Sequence, residues 1–367
     1  MQVDVQDKGF QPMTSMALIA PCVLMAFMAM PVPAAADESE IEPIFYPAPP
    51  NQPKLQFLTK FSSVLDVSAG KSGFRDFVFG GEENESPLVT KPYGLAIHDG
   101  AVFVVDTRGN GWGVFDIAKK KSRMVQPGGN GALRKPINIT IDAEGNRYVT
   151  DTGREQVLVY GANDKFLRAF GVSGEFRPVD IAVIGDELYI TDVKHHRVVV
   201  LSKSTGEILR EFGEAGSEPG QLFQPTNLAV GEDDTIYVSD TGNFRIQQFR
   251  TNGELVREIG QIGTSPGNFA RPKGIALDRD RNIYVVDAAF SNVQILDSLG
   301  LALMFFGQSG GERDNINLPT VVKIDYDNVS YFQQYAAPGF EIEYLVAVAS
   351  QFGPNKVSVY GFGSLQE

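Results

Sequence analysis

Cysteine, histidine and tryptophan are scarce in this 367-residue chain, which carries one Cys, three His and one Trp. A single cysteine excludes a disulfide framework, a cysteine-rich zinc module and a covalently attached c-type haem, which needs C-x-x-C-H. Three histidines leave little for metal or acid–base chemistry and are too few to ligate several haems. Positive charge is also in short supply. With 32 Lys and Arg against 45 Asp and Glu, the formal charge is −13. That balance argues against nucleic acid as a partner, because phosphate binding draws on a cationic surface. What is abundant is glycine, 38 residues, together with Val, Ile, Tyr and Phe. Such a composition builds many short strands joined by tight turns. The 43 % hydrophobic share allows the core of one large domain or two ordinary ones.

Residues Met16 to Met30 form a nearly uninterrupted apolar run, followed by Pro31, Pro33, Ala34 to Ala36 and the acidic stretch Asp37-Glu38-Ser39-Glu40. This pattern predicts a signal peptide over residues 1–36, export to the periplasm or outer cell surface, and no transmembrane domain in the mature chain. The leader carries Asp4 and Asp7 against Lys8 where a positive segment is usual, and a start codon assigned too far upstream accounts for that. Cys22 follows Ile19-Ala20-Pro21, a poor lipobox because of its proline and the apolar run beyond it. Cleavage leaves a charge of −12 and no cysteine. Residues 37–54, rich in Pro and Glu, read as a flexible leader.

A motif of Pro, two residues and an apolar triplet recurs six times, starting at Pro92, Pro136, Pro178, Pro225, Pro272 and Pro319, with spacings of 44, 42, 47, 47 and 47. Five copies continue through a turn into a strand ending in Asp: Asp106, Asp151, Asp192, Asp240 and Asp287. Gln351 reads as the replacement in the sixth. Two further alternating segments complete each unit. Four short strands in about 45 residues are one blade of a β-propeller, so residues 55–363 are expected to form an all-β, six-bladed propeller. Blade six ends near Phe362 without a fourth strand. An N-terminal strand over residues 74–80, containing Arg75 to Phe79, is expected to close it, with Lys54 to Ser62 packing beside it. Closure removes the open sheet edge. The insertion Asn328 to Phe340 reads as a short helix or lid.

Propeller geometry places the pre-proline loops and the second-to-third-strand loops on one face. That face gathers Lys91, Arg108, Arg134, Lys135, Arg154, Arg177, His195, His196, Arg271 and Lys273, with Trp112, Phe244, Phe290 and Phe352 among them. First-to-second turns on the other face are mostly acidic, including Asp142 and Asp278. A cationic, aromatic-studded face suits an anionic protein partner. The plainer reading is that Arg197, Arg245 and Lys356 pair with aspartates of the blades. The repeat aspartates themselves read as structural, capping loops through backbone N–H groups. Two residues past each proline stand Gly94, Asn138, Asp180, Asn227, Gly274 and Val321. Asn138, Asp180 and Asn227 are a candidate Ca²⁺ or small-ligand set at the channel mouth. The competing reading is that Gly, Asn and Asp all tolerate a turn that opens the strand.

The six copies resemble NHL repeats, most clearly in Asp192-Val-Lys-His-His-Arg-Val198 and Asp240-Thr-Gly-Asn-Phe-Arg-Ile246. An amidating lyase of that family needs zinc held by histidines from several blades, which His98, His195 and His196 do not supply. Coiled-coil and RING segments of the RNA-binding and ubiquitin-transfer members are missing. A Ser-His-Asp arrangement lacks support, with no His near a likely nucleophile. The segments KLQFLTKFS, KPYGLAIHDG and FARPKGIALDRDRNIYVVDA, and the tail from Asp327 to Phe362, resemble exported bacterial NHL proteins associated with multihaem c-type cytochromes. That resemblance implies a scaffold without a cofactor of its own. The alternative is a metal-dependent hydrolase or lyase with a Ca-type site at the channel mouth, the position of metal ligands in lactonase-type propellers.

Overall fold

The computed structural model describes residues 42–67, 86–231 and 234–366. Six antiparallel sheets follow one another along the chain. Blade one comprises Pro92–His98, Ala101–Asp106, Gly111–Asp116 and Lys121–Val125, and blades two to five repeat that order from Pro136, Pro178, Pro225 and Pro272. Each first strand contacts the first strand of the next blade, and that of blade six contacts that of blade one, so the ring closes. The chain is a six-bladed β-propeller. No helix among the described residues is long and apolar enough to cross a membrane.

Periodicity along each blade follows its distance from the axis. Second strands such as Ala101–Asp106 and Thr235–Asp240 are buried at every position, because a neighbouring blade covers each side of the sheet. Fourth strands such as Ile208–Phe212 are largely exposed apart from the last residue. Apolar clusters therefore lie between blades. Trp112, expected on the loop face, instead lies fully buried between blades one and two against Tyr160, with ring centroids 5.0 Å apart. It belongs to the third strand, where alternation turns it inward.

Every first strand bulges just after its proline, which pairs opposite the repeat Asp in blades one to five. In blade six Pro319 pairs with Ser350. Ser350, rather than Gln351, therefore occupies the sixth Asp position, and its Oγ accepts the N–H of Asn317 at 3.3 Å.

Blade six takes its fourth strand from the N-terminal side. Leu55–Phe61 pairs antiparallel with Val357–Leu365, and Phe45–Tyr46 adds a short fifth strand. Residues 74–80, expected in that role, lie outside the described residues. The second half of the expected flexible leader is laid onto the blade instead. Phe45 packs on Phe340 at 5.6 Å and the Tyr46 hydroxyl donates to Asp314, so aromatic burial fixes a segment whose proline content suggested a loose one. Phe61 stacks on Phe115 of blade one at 5.4 Å, which joins the first and last blades. The insertion forms a one-turn helix, Val329–Phe332, with Phe332 buried under it.

Candidate functional site on the loop face and channel mouth

The repeat aspartates build the loop face. Asp151 is fully buried and accepts backbone N–H groups from Arg134 and Lys135 (2.7 and 3.0 Å) and from Gly153 and Arg154 (both 2.9 Å). One carboxylate thus ties the loop entering the first strand to the loop leaving the second. Asp106 and Asp287 make the same double connection. Asp192 does so with added side-chain bonds from His195 (2.7 Å) and Arg197 (3.1 Å). Asp240 takes the Phe223 N–H together with Asn243, Arg245 and Gln247 side chains. Four residues beyond each Asp, the chain turns through a left-handed residue: Asn110, Glu155, His196, Phe244 and Ser291, with φ of 51, 57, 58, 58 and 53°. Five non-glycine residues accept that conformation because the aspartate hydrogen bonds hold the turn.

The expected cations divide into two sets. Arg154 bonds the carbonyls of Asn130 and Ala132 (2.9 and 2.8 Å) and Gln156, and so braces its own loop. Glu155 takes Arg177 at 3.1 Å and Lys194 at 3.4 Å. The Gly174 N–H, then Arg177, hold its carboxyl down at about 2. Lys273 donates to the Tyr93 hydroxyl at 3.1 Å across the channel mouth, above the packed side chains of Tyr93, Ile137 and Val179. His195 is bound to Asp192, while His196 accepts the Gln224 N–H at 2.9 Å and stacks on Phe223 at 5.1 Å. Arg197 and Arg245 pair with Asp192 and Asp240. Lys356 is half-buried, and burial lowers its pKa against the attraction of Asp106. Arg108, Arg134, Lys135 and Arg271 form the other set: all are exposed, and no side-chain ion pair or hydrogen bond engages them among the described residues. Lys91 lies over the exposed Phe352 ring at 5.8 Å. Phe244 is half-buried.

At the channel mouth Asn138, Asp180 and Asn227 do come together, each nearly inaccessible to solvent. They satisfy one another. Asp180 accepts Asn138 Nδ2 (2.6 Å), Asn227 Nδ2 (3.2 Å) and the N–H groups of Ile181 (2.8 Å) and Leu228 (3.1 Å). A carboxylate offers about four acceptor positions, so its capacity is filled. Burial raises the pKa of Asp180, opposed first by the positive charge of Lys323. Asn138 Oδ1 takes the Ile139 N–H, which leaves Asn227 Oδ1 as the one unpartnered oxygen of the set. A calcium ion needs about six oxygens, and this donor set does not fit one. No cluster of three or more His, Cys, Asp or Glu suited to a metal occurs among the described residues. The glycines of the same ring answer to packing rather than to a turn. Neither Gly94 nor Gly274 has a positive φ. A Cβ on Gly94 would stand 2.1 Å from Asn138 Oδ1, and one on Gly274 would stand 2.5 Å from Val321 Cα.

On the opposite face, Asp142 and Asp278 are buried and hold their turns through Asn146 and Asn282. Lys203 and Arg210 pair there with Asp142 and Glu187. That side is a mixed network, less acidic than its first-to-second turns alone suggest, because third-to-fourth turns bring cations onto it.

Residues 232–297 match the DUF5128 family model, described as a 6-bladed beta-propeller. That stretch spans most of blade four and three strands of blade five. Among curated proteins, the chain is 28 % identical over 192 residues to the peptidyl-glycine alpha-amidating monooxygenase of Mus musculus, covering 47 % of this chain and 18 % of that protein. It is 27 % identical over 146 residues to a probable peptidyl-alpha-hydroxyglycine alpha-amidating lyase of Caenorhabditis elegans, covering 36 % and 42 %. The match therefore spans less than half the length of either relative. Among solved structures, an auxiliary nutrient binding protein from Bacteroides thetaiotaomicron superimposes with a TM-score of 0.58 at 13 % identity, over 85 % of this chain and 77 % of that one. A gluconolactonase from Xanthomonas campestris gives 0.56 at 16 %, over 85 % and 98 %. These likenesses establish the fold, which hosts both binding proteins and enzymes.

Glu155, Phe223 and the Lys273–Tyr93 contact were not singled out in the sequence. Glu155 carries a signal, as the acidic member of an otherwise basic loop set. The other two depend on contacts between blades.

Proposed function

We propose that this chain is a non-catalytic, exported binding propeller that docks an anionic protein partner on its loop face, with multihaem c-type cytochromes as the partner class. One observation carries the reading. Arg108, Arg134, Lys135 and Arg271 stand exposed and unpaired among the described residues, on a chain whose other loop-face arginines hold loops or neutralise acids. Unpaired guanidinium and ammonium groups on a rigid rim steer and orient acidic surfaces. Exposed Phe223 and Phe352, beside His196 and Lys91, add apolar contact area to the same rim. Acidic cytochrome surfaces and haem propionates have the complementary charge. The signal-like leader and the absence of any cysteine after it favour an exported location.

The channel mouth supports no catalytic alternative. A metal-dependent hydrolase or lyase built on Asn138, Asp180 and Asn227 would have to break the hydrogen bonds that saturate Asp180. A histidine-based lyase would need His195 or His196, both already held by neighbours. Charge reversal of Arg108, Arg134, Lys135 and Arg271 together is expected to abolish partner capture, scored by cross-linking in intact cells, while circular dichroism and the melting temperature stay unchanged. Undiminished capture by the folded variant would remove the proposed face.

A further inference from the structure

Blades two to five each place a buried tyrosine at the same point of the second strand, on the side of the disc away from the loop face: Tyr148, Tyr189, Tyr237 and Tyr284. Three of the hydroxyls are connected to a carboxylate. Tyr148 donates to Asp142 at 3.0 Å, with Lys203 Nζ 3.1 Å from the same oxygen. Tyr189 donates to Glu187 at 2.6 Å, and Arg210 grips both oxygens of Glu187 at 2.8 and 2.5 Å. Tyr284 shares a hydrogen with Tyr344 at 2.7 Å, and Tyr344 donates to Asp278 at 3.1 Å. Tyr237, only 5 % exposed, has no hydroxyl partner among the described residues.

Blade four differs because both carboxylate positions have changed while the cation has stayed. Gly231 stands where blades two and five have Asp142 and Asp278, and Thr235 stands where blade three has Glu187. Arg257 corresponds to Arg210 in the fourth strand. Its Nε bonds Gln248 at 2.7 Å, and its two terminal nitrogens meet no acceptor among the described residues. A cavity of about 180 Å³ opens here, lined by Gly231, Thr235, Tyr237, Arg257, Arg281 and Ser298 among others. Gly231 keeps it open, since a Cβ there would lie 2.4 Å from Thr235 Oγ1 and 3.1 Å from Tyr237 Cε2.

We propose that this cavity binds a small carboxylate anion. The Arg257 terminal nitrogens supply the charge-assisted pair that Arg210 gives Glu187, and the Tyr237 hydroxyl donates as Tyr148 does to Asp142. Drug-sized ligands occupy pockets of about 300 Å³ or more, so this one admits acids of the size of acetate or succinate. The site lies on the other side of the disc from the docking face and stands whether or not that face binds a partner.

Titration calorimetry of the full chain with sodium acetate, sodium succinate and inorganic phosphate, at constant ionic strength in chloride, tests the site. Saturable binding of at least one carboxylate is expected, with phosphate weaker. R257Q is expected to weaken it at least tenfold. T235E, which sets a carboxylate beside Arg257 as Glu187 stands beside Arg210, is expected to abolish binding with the melting temperature retained or raised. Absence of saturable carboxylate binding at tens of millimolar, phosphate binding with carboxylates silent, or unchanged affinity in R257Q would each overturn the proposal.

Discussion

At Gly94 the first strands of blades one and two approach so closely that a methyl group would meet Asn138 Oδ1 at 2.1 Å and the Asn138 backbone at 2.4 Å. Backbone cannot yield as a side chain tip can, so G94A is expected to destabilise the fold by about 2 kcal/mol or more. A urea unfolding midpoint indistinguishable from that of the parent chain would contradict this account of the ring. Glu155 is the second decisive residue. Its carboxyl is held near 2 against an ordinary 4.5 by the Gly174 N–H, by Arg177 and by Lys194. A depressed folded pKa stabilises the folded state in full above about 4.5 and progressively less as the pH falls toward 2. The E155Q variant should therefore show a flatter stability profile across that window than the parent chain, and parallel profiles would refute the assignment. The same substitution leaves Arg177 and Lys194 without their counter-charge on the docking face. At this scale the repeat aspartates were legible because their chemistry recurs in five blades. Cation pairing was not, because Glu155 meets Arg177 and Lys194 from a different blade.

Among the elements, the blade itself was the most legible, since each proline marks a first strand and each Asp the end of a second. The closing strand is less legible. Arg75 to Phe79 with its following glycines has the look of an outer strand, mixed in polarity, whereas Leu55–Phe61 is buried at five of its seven positions and resembles an inner one. The difference arises because Leu55–Phe61 is covered in turn by the short strand Phe45–Tyr46 and by blade one. Removing every residue before Ser62 would leave Val357–Leu365 as a bare edge and strip Phe61 from Phe115. Such a truncation is expected to lose cooperative thermal unfolding and to associate through the open edge in gel filtration. A monomer with an unchanged melting transition would show that closure does not depend on this strand. Likewise, the sixth Asp position falls at Ser350, one residue before Gln351, because the long insertion before the second strand hides the register that the Pro319–Ser350 pair reveals.

For the whole molecule, the net charge of −13 conceals how the charges are arranged. The fold sorts part of them: the repeat aspartates are drawn into the loops as hydrogen-bond acceptors, while Arg108, Arg134, Lys135 and Arg271 stand on the loop rim, where exposed Glu214, Glu218 and Glu312 lie on the same face. Burial of Asp151, Asp192, Asp240 and Asp287 removes much of the acidity from that surface without removing it from the sequence. The opposite side keeps cations and acids interleaved, so the polarity rests on the loop rim more than on an acidic counterpart. Long-range attraction of an acidic partner to that rim falls with ionic strength. The most direct measurement is site-specific photo-cross-linking in intact cells, with the reactive group placed at position 134 or 271 on the loop rim and, separately, at position 119, where exposed Lys119 sits in the third-to-fourth-strand turn of blade one on the opposite side. Adducts to an acidic, haem-bearing protein from the rim positions, and none from position 119, are the predicted result. Adducts formed equally from both sides, or none from the rim, would contradict the account of this chain as a docking platform.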